Sequence, residues 1–288
     1  CLADNIADSS CSITVAETGF VFDVPTLTAC KTSKNVTIKA VKQGSNTAQC
    51  VSALTGDKTL SFWSNYDIPT TGKNTVNING IAIATSNAGT NINLTFDING
   101  EAQFTTQYSD AGRLNLTATY DDANGLIMTG SDLFISKPVM LVSYSSDASA
   151  TCASQDASCS RFKKAGEKFD LKVNAACWTS DTDTDFTDNP RTPNFELAGM
   201  GITSSVLAPT GGVNGQLGQS SFNISTTDVG AKTVAQTVSE VGIFEFSIIA
   251  PLYLGETVST TTSAPIGRFY PDHFETTSAS NGSFGNNA

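Results

Sequence analysis

Ile92-Asn93-Leu94-Thr95-Phe96-Asp97-Ile98-Asn99-Gly100 decides how this chain folds. Apolar residues take every second position from Ile92 to Ile98, and polar ones fill the gaps. A strand sends successive side chains to opposite faces, so this pattern gives one face to a core and one to water. Asn99-Gly100 then supplies two residues that tolerate positive φ, as a two-residue hairpin turn requires. The stretch reads as a half-buried strand running into a hairpin.

The same period of two recurs on both sides of it. Val36, Ile38 and Ala40 alternate with Thr37 and Lys39, and Leu114, Leu116, Ala118 and Tyr120 alternate with Asn115, Thr117 and Thr119. Phe169, Leu171 and Val173 do so again, as do Phe244, Phe246 and Ile248. Asn79-Gly80, Asn124-Gly125 and Asn214-Gly215 are further hairpin dipeptides. Across Asn79-Gly80 the apolar parity shifts from Val76 and Ile78 to Ile81 and Ile83, which a two-residue hairpin or a bulge would each explain. No segment of helical length carries an apolar stripe at 3.6-residue spacing. Many short strands punctuated this way predict antiparallel sandwiches.

With 288 residues the chain has room for about two domains at roughly 150 residues each. Charged residues make up only 15%, against about 25% in an average soluble domain. Ser, Thr, Asn and Gly fill the surface instead, a balance suited to extracellular β-proteins. A net charge of −11 without Lys/Arg clusters excludes tight nucleic-acid binding. No apolar run approaches the ~18 residues of a membrane span.

Seven cysteines stand at 1, 11, 30, 50, 152, 159 and 177. None has CxxC spacing, and with one histidine a zinc site finds no ligand set. The short loops Cys1–Cys11, Cys30–Cys50 and Cys152–Cys159 read as disulfides made in an oxidising compartment. Cys177 is then left over, with a pairing to Cys152 or Cys159 left open. The first residue is Cys, not Met, which fits a processed or excised segment.

One boundary falls at Lys137-Pro138 and another within Pro271–Phe274. The expected order is a cross-linked leader over 1–19, a sandwich over 20–137, a second over 138–274, and a linker or the start of another domain over 275–288. Ile266-Gly267-Arg268-Phe269-Tyr270-Pro271-Asp272-His273-Phe274 holds the only histidine. Its Gly, Pro and Asp read as a strand end turning into a joint. His273 is the sole imidazole base on offer, and no Gly-x-Ser-x-Gly elbow accompanies it. Arg268 is placed to pair with Asp272 or Glu240.

Asp181, Asp183, Asp185 and Asp188 crowd four carboxylates into eight residues. Alternate aspartates can converge on calcium, although Phe186 and Thr192 break the EF-hand pattern. A solvated acidic loop is the competing reading. Trp178, beside this loop, and Trp63, opposite in parity to Leu60 and Phe62, are the candidate ligand-facing aromatics. Burial against a neighbouring element is the competing use of each.

A set of short runs occurs in a recognisable order: Phe22-Asp23-Val24-Pro25, Phe62-Trp63-Ser64-Asn65-Tyr66, Phe96-Asp97-Ile98-Asn99-Gly100-Glu101-Ala102, Tyr108-Ser109-Asp110-Ala111-Gly112, Lys164-Ala165-Gly166-Glu167, Thr192-Pro193-Asn194-Phe195, Glu240-Val241-Gly242 and Gly267 to Phe274. Together they resemble the MSHA biogenesis protein MshQ family, over roughly Phe20 to Phe274. The Asp-x-x-Gly-x-Ala run is also similar to bacterial Ig-like stalk repeats. The resemblance implies two consecutive Ig-like antiparallel β-sandwiches in an exported bacterial surface protein associated with a type IV pilus. It implies a structural and adhesive role with no catalytic residues, and pilus or other cell-surface subunits as partners. Two readings from other classes stand beside it. One is a carbohydrate-binding module using Trp63 or Trp178 with the acidic loop; the other is an extracellular hydrolase.

Overall fold

The computed structural model describes residues 18–44 and 50–274. Twelve strands come first: β1 (Thr18–Val21), β2 (Leu27–Thr28), β3 (Val36–Gln43), β4 (Cys50–Ser52), β5 (Gly56–Ile68), β6 (Val76–Ile78), β7 (Ile81–Ala82), β8 (Thr90–Phe96), β9 (Glu101–Phe104), β10 (Thr106–Tyr108), β11 (Gly112–Asp121) and β12 (Ile127–Lys137). Seven follow: β13 (Met140–Tyr144), β14 (Phe169–Ala176), β15 (Leu197–Ala208), β16 (Ser221–Ile224), β17 (Ala231–Gln236), β18 (Gly242–Ile249) and β19 (Ile266–Phe269). The fold is two consecutive Ig-like β-sandwiches, and among the described residues their paired strands are antiparallel except β2, which runs parallel to β12.

In the first sandwich one sheet runs β2-β12-β11-β5-β8. Facing it are β1, β3, β4 and β9, continued by β10-β6-β7. The alternation sets which side chains meet between the layers. Ile92, Leu94 and Phe96 of β8, Val36, Ile38 and Ala40 of β3, and Leu114, Leu116 and Ala118 of β11 are all buried in one cluster. Leu60 and Phe62 join it from β5, and Phe62 meets Phe104 edge-on at 5.4 Å.

The second sandwich sets β13-β14-β17 against β16-β15-β18-β19. Phe169, Leu171 and Val173 face Phe244, Phe246 and Ile248 across its core. Phe269 packs on Phe162, Phe169 and Phe244, with ring centroids 5.3 to 5.8 Å apart. The Ile266–Phe274 stretch therefore enters the core before it becomes a joint: its first four residues are β19.

Two local expectations change. Ile98 is 86% exposed, because β8 ends at Phe96. The Asp97 carboxylate accepts the backbone N–H groups of Asn99 and Glu101, at 2.8 and 2.9 Å, and closes a turn that throws Ile98 outward. Asn99-Gly100 is also no hairpin within one sheet. Strand β8 pairs with β5 and β9 pairs with β3, so the turn is a corner between the layers. Asn79-Gly80 does form the two-residue hairpin, with φ of 51° and 79° and Ile78 opposite Ile81.

Candidate functional site

The chain's distinctive chemistry gathers where the two sandwiches meet. A turn after β2 lifts Cys30 out of the first sandwich. Lys31 N–H donates to Thr28 O at 3.0 Å, and Cys30 takes φ of 72°, a left-handed conformation unusual without glycine. Cys177, directly after β14, is bonded to it across 147 residues, with the Cα atoms 5.6 Å apart. This corrects the pairing expected from sequence, which joined Cys30 to Cys50 and left Cys177 over. Short loops looked the more natural closures, but the sandwiches bring two distant turns face to face. Cys50 is disulfide-bonded as well, and Cys152 is bonded to Cys159. The expected Cys1–Cys11 pairing, most of the leader over 1–19 and the segment 275–288 lie outside the described residues.

Around the inter-sandwich disulfide, polar groups cross the same gap. Trp178 N–H donates to Ala29 O at 3.0 Å. The indole Nε1–H donates to Asp181 Oδ1 at 3.0 Å, and Lys31 pairs with the same oxygen. The Lys31 ammonium lies 5.1 Å from the Trp178 ring centroid, within cation–π range. Lys31, then Trp178, hold the Asp181 carboxyl below the usual carboxylate range. Farther along, Lys137 and Thr26 of the first sandwich both reach Glu256 of the second, at 3.3 and 3.0 Å.

Asp110 sits at the centre of the joint and is 1% exposed. Its Oδ1 accepts the backbone N–H of Asn194, from the second sandwich, at 2.9 Å and that of Ala111 at 2.8 Å. Asn74 Nδ2 donates to Oδ2 at 3.3 Å. Burial pushes the carboxyl above its ordinary value, and these donors pull it part of the way back. Burial, and then the Asp110 charge, raise Tyr108 and Tyr253 far above an ordinary phenol. Asn194 Nδ2 donates to Tyr108 Oη at 3.3 Å. Ala111 lies inside the second sandwich's core cluster and Ile135 packs against it, so the first sandwich lends apolar side chains to the second core. A crevice of about 670 Å³ opens beside it, lined by Asp67, Ile68, Lys73, Asn194 and Glu196 among others.

The acidic loop is built to hold itself. Asp183 accepts from Asn189 Nδ2 at 2.7 Å, Thr179 Oγ1 at 2.8 Å and Asp185 N–H at 3.0 Å. Asp185 accepts from the hydroxyl and the N–H of Thr187, at 2.6 and 3.0 Å. Asn189 in turn donates to Cys177 O at 2.8 Å, tying the loop back to the disulfide. The Asn189 amide holds Asp183, and the Thr187 hydroxyl holds Asp185, below the usual carboxylate range. Asp188 is exposed. Among the described residues no three His, Cys, Asp or Glu side chains group as a metal site requires. The expected calcium set of Asp181, Asp183, Asp185 and Asp188 is thus not assembled. Each of the first three carboxylates turns to a donor of its own loop or to Lys31.

The remaining candidates lie elsewhere. Trp63 is half-buried on the outer face of β5, opposite Thr117, with the chain at Ala84 bridged alongside it. His273 is exposed, its Nδ1 3.3 Å from Asp272 Oδ2. Asp272 pairs with Lys164 at 2.6 Å, which holds its carboxyl below the ordinary value. Arg268 does not take Asp272 or Glu240, as the sequence suggested. A bridge between Lys164 and Tyr270 brings Lys164 to Asp272 instead, and Arg268 donates to Ala157 O at 2.7 Å, on the Cys152–Cys159 loop. Sequence reasoning missed Asp110, Asn194 and Lys31. The signal for the first two was present, because each lies in one of the ordered runs, Tyr108–Gly112 and Thr192–Phe195, and those two runs touch.

Three successive family models match the chain. They are the first Ig-like domain of DUF6701, a domain of unknown function, over residues 1–131, its second domain over 137–235, and its third over 240–287. The chain is built of DUF6701 domains. The third contributes β18, which pairs with β15 of the second, and β19, which pairs with β18, so these two DUF6701 segments share one sheet and one core. No curated protein matches the chain. Among solved structures, the D0-D1 domain of intimin is 12% identical, with 86% of this chain and 97% of that one covered and a TM-score of 0.26. The Yersinia pseudotuberculosis adhesin InvE is 15% identical, with 91% and 65% covered and a TM-score of 0.39. The bacterial integrin-binding protein invasin is 11% identical, with 88% and 39% covered and a TM-score of 0.34. No helix among the described residues is long and apolar enough to cross a membrane.

Proposed function

We propose that this DUF6701 chain is a non-catalytic structural and adhesion module of an extracellular bacterial surface protein. In the finer reading it belongs with the MshQ-like proteins of the MSHA type IV pilus, and its partners are pilus or other surface subunits. Its units are the sandwiches over 20–137 and 138–274. One observation carries this reading: a disulfide between Cys30 and Cys177 fixes one sandwich to the other. An enzyme domain pair that opens and closes around a substrate gains nothing from a covalent bond across its hinge. A stalk that must hold a fixed direction does. Disulfides also belong to oxidising compartments, which fits display outside the cell.

The lectin reading draws less support. The Trp178 indole N–H is spent on Asp181 and Lys31 occupies the space over its ring, so the surface a sugar would stack on is already used. A hydrolase with a histidine base would need His273, and that ring lies exposed beside Asp272; a glycosidase would use a pair of carboxylates instead.

The test is an in-frame deletion of residues 18–274 in a bacterium that makes the protein, scored for piliation and for attachment to surfaces. Loss of attachment, with the rest of the protein still reaching the cell surface, is the expected result. Unchanged piliation and attachment would count against the proposal. Turnover of a polysaccharide by the purified chain would favour the hydrolase instead.

A further inference from the structure

The position of the Cys30–Cys177 bond along the chain has a mechanical consequence. Residues 31–176 lie inside the loop that it closes. That loop contains β3 to β12, nearly all of the first sandwich, together with β13 and β14 of the second. Outside it lie β1 and β2 on one side and β15 to β19 on the other. Tension along a chain follows the covalent path, and a crosslink removes from that path every residue between its ends.

We propose that Cys30–Cys177 is a load-bearing clamp that carries tension past the first sandwich. A pull across the chain enters through β1 and β2, crosses the disulfide at the joint, and leaves through β15 to β19. The five-stranded sheet of the first sandwich, β2 apart, has no tension along its strands. Load instead falls on the second sandwich's larger sheet, where β15 pairs with β18 over the run from Gly201–Ile249 to Ala208–Ile243. Two contacts cross the joint beside the clamp and keep its turns together, Trp178 N–H on Ala29 O and Asp181 on Lys31, while Asn189 braces the second turn from its own side by donating to Cys177 O. The clamp deepens the stalk reading and rests on it for its use in the cell. Its own test needs no cell, so the two can fail separately.

The experiment is single-molecule pulling of the full chain between handles fused to its two ends. The wild type is compared with the double variant Cys30→Ser, Cys177→Ser. The hidden separation is 147 residues, and an extended residue reaches roughly 3.3–3.6 Å. The bonds at Cys50 and between Cys152 and Cys159 persist in both chains and trim the difference. The variant is expected to extend several hundred ångströms farther than the wild type. Equal extension would overturn the proposal. Should circular dichroism show the variant unfolded, the wild type is pulled with and without dithiothreitol. A gain of several hundred ångströms beyond what the bonds at Cys50 and Cys152–Cys159 release supports the clamp, and no gain beyond that overturns it.

Discussion

Asp110 shows how much of the joint depends on one side chain. It is buried and shared between two sandwiches, and its Oδ1 satisfies two backbone N–H groups that have no water to turn to. Replacing it with Ala leaves those donors unpaired, a loss of about 1–3 kcal/mol per buried group. The expected result is a lower denaturant midpoint for Asp110→Ala. Asp110→Asn is gentler, because an amide oxygen can still accept from Asn194 and Ala111. It also isolates the charge. Burial raises the Asp110 carboxyl in the folded state, so the folded chain holds that proton more tightly than the unfolded chain does. The contribution is then fully present below the unfolded value of about 3.9 and is lost as pH rises through the folded value. Wild type should therefore gain stability relative to Asp110→Asn as pH is lowered through this window. Urea titrations of both proteins at several pH values measure it, and parallel curves would show that the Asp110 charge plays no part.

Among the elements, β1 lies close over β12 at Gly130. A Cβ on Gly130 would lie 2.3 Å from Phe20 O. Backbone cannot swing aside as a flexible side chain can, so Gly130→Ala must push the two strands apart. Overpacking of this kind costs about 1–3 kcal/mol, and a matching fall in urea midpoint is expected; an unchanged midpoint would mean that β1 yields freely. The acidic loop gives the opposite expectation. Asp183 and Asp185 already have their own donors, so millimolar calcium and a chelator should give the same Tm, while a rise of several degrees with calcium would reinstate the metal site. These strands were legible because a period of two needs only the order of side chains, and β3, β8, β11, β14 and β18 bury the residues it named within them, apart from the half-buried Tyr120. Turn chemistry was less informative. Asn99-Gly100 specifies positive φ equally well for a hairpin or for a corner between sheets, and only the partners of β8 and β9 distinguish them. Ile98 was misassigned for the same reason, since the alternation continued one step past the point where Asp97 closes the turn.

At the scale of the whole molecule the sequence was least informative. Spacing favours bonds between neighbouring cysteines, because short loops are simple to imagine, yet the bond that joins the sandwiches spans half the chain. Nothing local to Cys30 or Cys177 states that their turns meet; the meeting follows from the packing of the two sandwiches, with Ala111 and Ile135 lent to the second core. The same geometry ranks the two disulfides. In the chain-entropy account a crosslink stabilises by restricting the unfolded chain, and the effect grows with the logarithm of the loop. The separations are 147 residues for Cys30–Cys177 and 7 for Cys152–Cys159. That account gives about 5 kcal/mol for the long loop and about 2.4 kcal/mol for the short one, both upper values. Cys30→Ser with Cys177→Ser should therefore cost about twice as much as Cys152→Ser with Cys159→Ser, read from urea midpoints under non-reducing conditions. The comparison also separates two views of the joint. If the polar contacts around Asp110, Trp178 and Glu256 hold the sandwiches in the unlinked chain, both variants unfold in one transition. If the disulfide is what couples the halves, the first variant alone splits into two transitions, with the sandwiches melting independently. The contact that Ala111 and Ile135 make with the second core favours the single transition.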